Sequence, residues 1–215
     1  MAEKCLIISG GEFSKPDFSL IPQICDFDYV IACDKGFEYA QKLHIKPDLV
    51  IGDFDSLSES YITQLEKMNN VQRYSTEKDD TDTMLACRIA LEKGCKFICI
   101  ISCFGNRLDH TLANLQAAIF LSEQNAHCYL LGDKDFMTAI SNSSITIPKK
   151  QGWSLSVFSA SDVSEGVSIS GAKYSVQNIV MKNSYPLGVS NEFAEENVLI
   201  SVKKGTLIVM MSKLH

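Results

Sequence analysis

The feature that most restricts the fold is a change of hydrophobic period along the chain. Through residue 131, short β-rich runs alternate with segments of helical periodicity; from about residue 144, apolar and polar residues alternate with period two and helical periodicity disappears. The β-rich runs are Cys5 to Ile8, Tyr29 to Ala32, Leu49 to Ile51, Val71 to Tyr74, Phe97 to Ser102 and Cys128 to Leu131. The clearest helical segments are Thr81 to Lys93, which ends at Gly94, and Asp109 to Glu123, whose Leu112, Leu115 and Ile119 share one face. Strands that alternate with helices predict βαβ units and a largely parallel sheet. In the later part, "WSLSVFS", "EGVSIS" and "NVLISVKKGTLIVMM" predict antiparallel strands, the last as a hairpin turning near Lys204 and Gly205. The chain is therefore expected to divide near residue 140, into an α/β domain over 1–139 and a smaller antiparallel β domain over 140–215.

A parallel sheet ends all its strands on one edge, and ligands bind in the crevice there. The residues that follow the strands are therefore the informative ones. The first strand runs into Ser9, Gly10 and Gly11, the second into Asp34, Lys35 and Gly36, and the third into Asp53 and Asp55. The fourth is followed by "STEKDDTD" (75–82) and the fifth by "CFGNRLDH" (103–110). These turns bring Asp34, Asp53, Asp55, Asp79, Asp80, Asp82 and Asp109 to one edge, with Lys35, Lys78, Arg107 and His110 among them. So many carboxylates in one place repel one another unless a counter-charge joins them.

A hard divalent cation with oxygen ligands relieves that repulsion, and Mg²⁺ typically takes one or two carboxylates together with waters and substrate phosphates. Lys78, Arg107 and the glycine-rich turns would then meet the phosphates through charge-assisted hydrogen bonds and backbone N–H groups. Structural roles compete for the same residues. Ser56-Leu57-Ser58-Glu59 fits a capping box opening a helix near Tyr61 to Met68, with Ser56 expected to cap rather than to bind. Asp80 or Thr81 fits a cap of the helix beginning there, Asp109 a cap of the next, and Asp48 a structural role. Neither G-x-x-x-x-G-K-[ST] nor G-x-G-x-x-G occurs, so the site is not a P-loop or a dinucleotide fingerprint.

Composition removes several alternatives. A net charge of −6 with scattered lysines offers no basic stripe for a nucleic-acid backbone. With 46% apolar residues the chain has ample core, yet no stretch approaches the roughly 20 apolar residues of a membrane span, and the start "MAEKCLIISGG" is too short in apolar residues for a signal-peptide core. A cytoplasmic protein is expected, with neither nucleic acid nor membrane as partner. Eight cysteines lie mostly within apolar runs; "KFICIISC" lacks a Cys-x-x-Cys pair, so they are expected as small hydrophobes rather than disulfides or metal ligands.

"ACDKGFEYAQKLHIKPDLVIGDFDSL", "EKDDTDTMLA" and "GNRLDHTLANL" resemble, in order and spacing, three signature stretches of thiamine pyrophosphokinases. "SGAKYSV" and "PLGVSNEF" resemble two segments of that family's β domain, so the likeness covers nearly the whole chain. The resemblance implies an α/β fold with an N-terminal Rossmann-like parallel-sheet domain and a smaller C-terminal antiparallel β-sandwich domain. It implies an enzyme that moves the terminal diphosphate of ATP to the thiamine hydroxyl with Mg²⁺, releasing AMP. It also implies a homodimer with thiamine bound where the subunits meet. By matching positions, Asp53, Asp55 and Asp82 would be the metal-associated carboxylates, and Lys78 and Asp79 would sit in the diphosphate-facing turn. Asp34, Arg107, Asp109 and His110 match the nucleotide side, and Tyr174, Ser190 and Asn191 the thiamine side. The chain departs from the family pattern at Lys35, where glycine is usual, and at Ala172 and Tyr174. Lys35 would add a phosphate contact or point to solvent.

The mechanism expected on this basis is in-line attack of the thiamine hydroxyl on the β-phosphorus, carried mainly by positioning and electrostatics. One of Asp53, Asp55 or Asp79 would accept the hydroxyl proton. Two rival readings use the same crevice. A phosphohydrolase would use Asp-x-Asp to form an aspartyl-phosphate, although that motif usually follows the first strand; a nucleotide sensor would bind ATP and Mg²⁺ without turnover. Residue chemistry by itself reaches a metal-dependent phosphate or nucleotide site on an α/β domain.

Overall fold

The computed structural model describes residues 3–21, 26–74, 80–105 and 107–214. Backbone contacts divide the chain into two compact units, one of Met1–Ala117 with Leu130–Asp133, the other of Ala118–Tyr129 with Lys134–His215. The order of elements through the first part is β1 (Lys4–Ile8), β2 (Tyr29–Cys33), α1 (Gly36–Lys42), β3 (Leu49–Gly52), α2 (Glu59–Leu65), β4 (Val71–Arg73), α3 (Asp82–Glu92), β5 (Phe97–Ile101), α4 (Leu108–Glu123) and β6 (His127–Leu131).

In the first unit β5, β1, β2, β3 and β4 pair in that order, every pair parallel. Strands β1, β2, β3 and β5 are buried over consecutive residues, as expected of a sheet covered on both faces. The last, β4, is half-exposed and short, which limits pairing at its free edge. The chain builds outward from β1 to β4 and then returns to place β5 on β1's other side. That return is a topological switch point of the parallel sheet. The expected strands and both long helices agree with these elements to within a residue or two.

The second unit holds β7 (Asp135–Ser141), β8 (Ser144–Pro148), β9 (Trp153–Ser159), β10 (Val163–Ser170), β11 (Val176–Lys182), β12 (Gly188–Asn191), β13 (Asn197–Ser201) and β14 (Thr206–Lys213). They form two antiparallel layers, β12-β9-β14-β7 and β11-β10-β13-β8. Alternate residues are buried, as along β9, where Trp153, Leu155, Val157 and Ser159 point inward. This is the antiparallel domain that the period-two pattern predicts, and its two layers are the sandwich that the resemblance implies.

The expected hairpin at Lys204 and Gly205 does not form. β13 pairs with β8 and β10, whereas β14 pairs with β7 and β9, so the chain crosses from one sheet to the other at residues 202–205. The link from β7 to β8 crosses alongside it. Val202 N donates to Ser143 O (2.9 Å), Asn142 N to Gly205 O (3.0 Å) and Gly205 N to Asn142 Oδ1 (2.9 Å), so the two crossings satisfy each other's backbone groups. A hairpin and a corner of a sandwich have the same alternating sequence; only these non-local bonds separate them.

Seven of the cysteines are described, and all are buried thiols. Asp48 has the structural role expected of it, its Oδ2 accepting from Val30 N at 2.9 Å.

Candidate active site

The turn after β1 is laced to the turn after β5. Gly11 N donates to Ser102 O (2.8 Å) and Glu12 N to Phe104 O (2.7 Å). A Cβ on Gly11 would lie 2.5 Å from both carbonyl oxygens, so only glycine allows this approach. Ser9 Oγ meets Thr83 Oγ1 at 2.8 Å, and the buried Asn114 donates from Nδ2 to Cys103 O at 2.7 Å, which ties α3 and α4 to the same edge.

The turn after β3 carries the acidic motif. Phe54 adopts a left-handed φ of 67° and buries its ring among Phe37, Val50, Leu57 and Leu65. With Phe54 directed inward, the carboxylates on either side are left at the crevice, and Asp55 N donates to Asp53 Oδ1 at 3.1 Å. Gly52, with φ of 149°, runs against the turn after β2; a Cβ there would lie 3.1 Å from Asp34 Cα and Cβ. Asp34 itself has φ of 49°, held by its N–H donating to Ile51 O at 2.8 Å.

Asp34, Asp53 and Asp55 thereby each offer a carboxylate oxygen, and these oxygens lie within 4.8 Å of one another. Burial raises the Asp34 carboxyl above its ordinary value, a hydrogen bond from Ser56 offsets part of this, and the charges of Asp53 and Asp82 add to the rise. The Asp55 carboxyl is raised chiefly by the charge of Asp53. Oδ1 of Asp34 is buried and has no hydrogen-bond partner. Such an arrangement calls for a positive centre, and carboxylate oxygens are the ligands that a hard divalent cation selects.

The carboxylates line a cavity of about 670 Å³, in the size range of small-molecule sites. Asp82, at the start of α3, lines the same cavity, though its carboxylate lies outside the close group of three. Lys35, Arg107 and His110 are on the wall, as are Phe13 and Tyr39, whose rings lie 5.2 Å apart. Asp109 pairs with Arg107 at 2.7 Å, which holds its carboxyl below the ordinary range. Asp80 turns instead to Arg88 at 2.9 Å, and Thr81 caps α3, accepting from Met84 N. Lys78 and Asp79 lie outside the described residues.

Ser56 departs from the expected cap. The N-cap of α2 is Ser58, which makes no side-chain cap bond, and the helix begins at Glu59, before the expected Tyr61. Ser56 Oγ donates to Asp34 Oδ2. The cap pattern and the acidic turn overlap at Ser56, and local spacing cannot separate the two roles. Tyr39 and Asn114 were also missed as site residues. Asn114 follows His110 by four, one helical turn, and that spacing was the available signal.

In the second unit, Asn191 is buried and its amide clamps the chain at Tyr174: Oδ1 accepts from Tyr174 N (3.0 Å) and Glu192 N (2.9 Å), while Nδ2 donates to Tyr174 O (3.0 Å). The ring of Tyr174 is left exposed. Ser190 has a left-handed φ of 56°, and its N–H donates to Ser156 Oγ.

Comparison with known proteins gives two family matches. Residues 23–130 match the model described as thiamin pyrophosphokinase, catalytic domain, and residues 142–207 match thiamin pyrophosphokinase, vitamin B1 binding domain. A thiamine pyrophosphokinase of Bacillus subtilis is 30% identical over 184 residues, 85% of this chain and 86% of that protein. A crystal structure of thiamine pyrophosphokinase from Bacillus subtilis superposes with a TM-score of 0.86 at 27% identity, covering 99% of this chain and 100% of that one. Thiamin pyrophosphokinase from Candida albicans shares the fold, with a TM-score of 0.80 at 14% identity over 99% and 89% of the two chains.

Proposed function

This chain belongs to the thiamin pyrophosphokinase family, and from that premise we propose that it transfers the terminal diphosphate of ATP to the hydroxyl of thiamine, giving thiamine diphosphate and AMP. The observation that carries this reading is the group of three carboxylates on the turns after β2 and β3, at the carboxyl edge of a parallel sheet, with one buried oxygen lacking a partner. The donor set fits Mg²⁺. Asp53, Asp55 and Asp82 hold it, and when bound it neutralises charge on the transferring polyphosphate. Lys35, Lys78 and Arg107 contact phosphate oxygens, and Asp34, Asp109 and His110 shape the nucleotide side. The β- and γ-phosphates are thus oriented by side chains from several loops, so the thiamine hydroxyl needs only correct placement to attack in line. Its proton passes to Asp53, Asp55 or Asp79.

Residues 1–139 form the catalytic domain and 140–215 the thiamine-binding domain, with Tyr174, Ser190 and Asn191 on the substrate. Thiamine carries a permanent positive charge, which an exposed aromatic face favours. A cytoplasmic homodimer with thiamine at the subunit boundary accounts for the exposure of Tyr174, Leu187 and Val189, each at least half accessible in the single chain. Among the described residues no helix is long and apolar enough to cross a membrane.

Incubation with ATP, Mg²⁺ and thiamine tests the reading directly. Thiamine diphosphate and AMP are expected in equal amounts, with AMP appearing only when thiamine is present. Free phosphate released from a monoester without thiamine would instead identify a hydrolase, and ATP binding without products a sensor.

The electrostatics give a second expectation. Asp34 and Asp55 have folded-state carboxyls raised above 3.8, so the folded chain binds their protons more tightly than the unfolded chain does. Burial of Asp34, and the repulsion that both feel from Asp53, therefore lower stability as pH rises from about 3.8 through the folded values. Mg²⁺ is expected to recover it. At 100 times its dissociation constant a ligand adds about 2.7 kcal/mol, or about 5–10 °C in Tm for a chain of this size. Thermal unfolding should show this rise at pH 7.5 and almost none near pH 3.5. Equal Tm with Mg²⁺ and with chelator at pH 7.5 would exclude the cation site.

A further inference from the structure

Resting on the nucleotide reading above, we propose that Phe13, packed on Tyr39, is the platform on which the nucleobase of the triphosphate lies, and so a residue that sets which nucleotide the site accepts. Both rings line the cavity, but they are not equally open: Tyr39 is buried and Phe13 only half-buried. Their centroids lie 5.2 Å apart with the planes tilted by 45°, within the spacing of favourable aromatic pairs. Phe13 is the outer ring of the two. Tyr39 is tied down beneath it, its hydroxyl donating to Gly11 O at 2.8 Å. Gly11 N on Ser102 O and Glu12 N on Phe104 O join the Phe13 loop to the turn after β5, which brings Arg107 and His110 to the same wall. Phe13 thus stands on the nucleotide side.

Charge separates a nucleobase from thiamine as the occupant. Lys42 Nζ lies 5.4 Å from the centroids of both rings, and Lys35 Nζ lies 6.0 Å from that of Tyr39. Among the described residues, no carboxylate pairs with either ammonium. A ring pair that already carries two positive charges disfavours a cationic heterocycle, whereas a nucleobase is neutral and its phosphates are drawn toward Lys35. The balance is opposite at Tyr174, where Lys173 Nζ lies 5.6 Å from the ring but is paired with Glu192 at 2.8 Å. Lys42 does not line the cavity, so the part of the Phe13 ring that does is left for a ligand. Stacking on an aromatic face needs no donor or acceptor pattern, and its strength follows the area of overlap.

Calorimetric titration of the full chain with Mg²⁺ present, but without thiamine, tests the platform. The probes are ATP with a methylene bridge between its α- and β-phosphates, which cannot be cleaved there, and inorganic tripolyphosphate, which has no base. Phe13→Leu keeps an apolar cover on Tyr39 and removes the flat face, so it is expected to weaken the ATP analogue about tenfold and to leave tripolyphosphate within about twofold. Phe13→Trp restores a flat face and should bind the analogue within about threefold of wild type. A residue that merely shaped the phosphate loop would move both probes together. The proposal is overturned if Phe13→Leu binds the analogue as wild type does, if tripolyphosphate weakens as much as the analogue, if Phe13→Trp is as weak as Phe13→Leu, or if thiamine binding is what falls. A wild type with the expected responses that forms no thiamine diphosphate rejects the kinase reading and leaves this one standing. Normal thiamine diphosphate formation with unchanged analogue affinity in Phe13→Leu rejects only the platform, and a wild type that binds neither probe rejects both.

Discussion

Asp53→Asn is expected to lower kcat by about a thousandfold or more while leaving the protein folded. Asparagine keeps the shape and one acceptor oxygen but removes the charge that makes the site a cation site. Stabilising a transferring polyphosphate through a metal ion contributes several kcal/mol, and losing about 4 kcal/mol is close to three decades in rate. The Mg²⁺ concentration for half-maximal rate should rise as well, because Asp55 and Asp82 would then hold the ion with one negative charge fewer. Folding should not suffer. Asp53 is the main cause of the raised Asp55 carboxyl, so neutralising it removes a repulsion, and the variant's Tm without Mg²⁺ should equal or exceed that of wild type at pH 7.5. Steady-state rates across a Mg²⁺ titration, with Tm measured in parallel, check both halves. A normal rate in Asp53→Asn would remove Asp53 from the metal site.

Much of this arrangement was legible in the sequence because parallel sheets impose strong rules. Buried strands read as continuous apolar runs, and β1, β2, β3 and β5 do so. Once the strands are parallel, the residues after them share an edge whatever their separation in sequence, which is why Asp34 and Asp53 could be paired across 18 intervening residues. Legibility failed where one local pattern has two three-dimensional outcomes. Residues 197–213 alternate as a hairpin would, but a corner between sheets alternates equally well. Ser56 lies in a capping pattern, but its hydroxyl turns across to another loop. Asp-Phe-Asp on the end of a strand suggests that both carboxylates share a face by pleat; they share the crevice because Phe54 is left-handed, which no residue type other than glycine makes legible.

Phe54 makes the link between core and chemistry measurable. Its ring is fully buried at the end of β3, in the cluster with Phe37, Val50 and Leu65, while the residues on both sides of it are acidic and face the cavity. Phe54→Ala removes a buried aromatic ring, which costs about 3–5 kcal/mol, without relieving the left-handed backbone, which alanine tolerates no better. Chemical denaturation should show that loss in the unfolding midpoint. Phe54→Leu keeps most of the packing and should cost about 1–1.5 kcal/mol. The two variants should also differ in catalysis. Asp53 and Asp55 hold their relative placement only while the residue between them is anchored, and misplacement of about 1 Å at a reacting centre can cost about a hundredfold. At a temperature where both variants remain folded, Phe54→Ala is therefore expected to turn over about a hundredfold more slowly than wild type, and Phe54→Leu within about tenfold of it. Equal rates for the two, together with the predicted gap in stability, would show that the acidic turn keeps its shape without the ring beneath it.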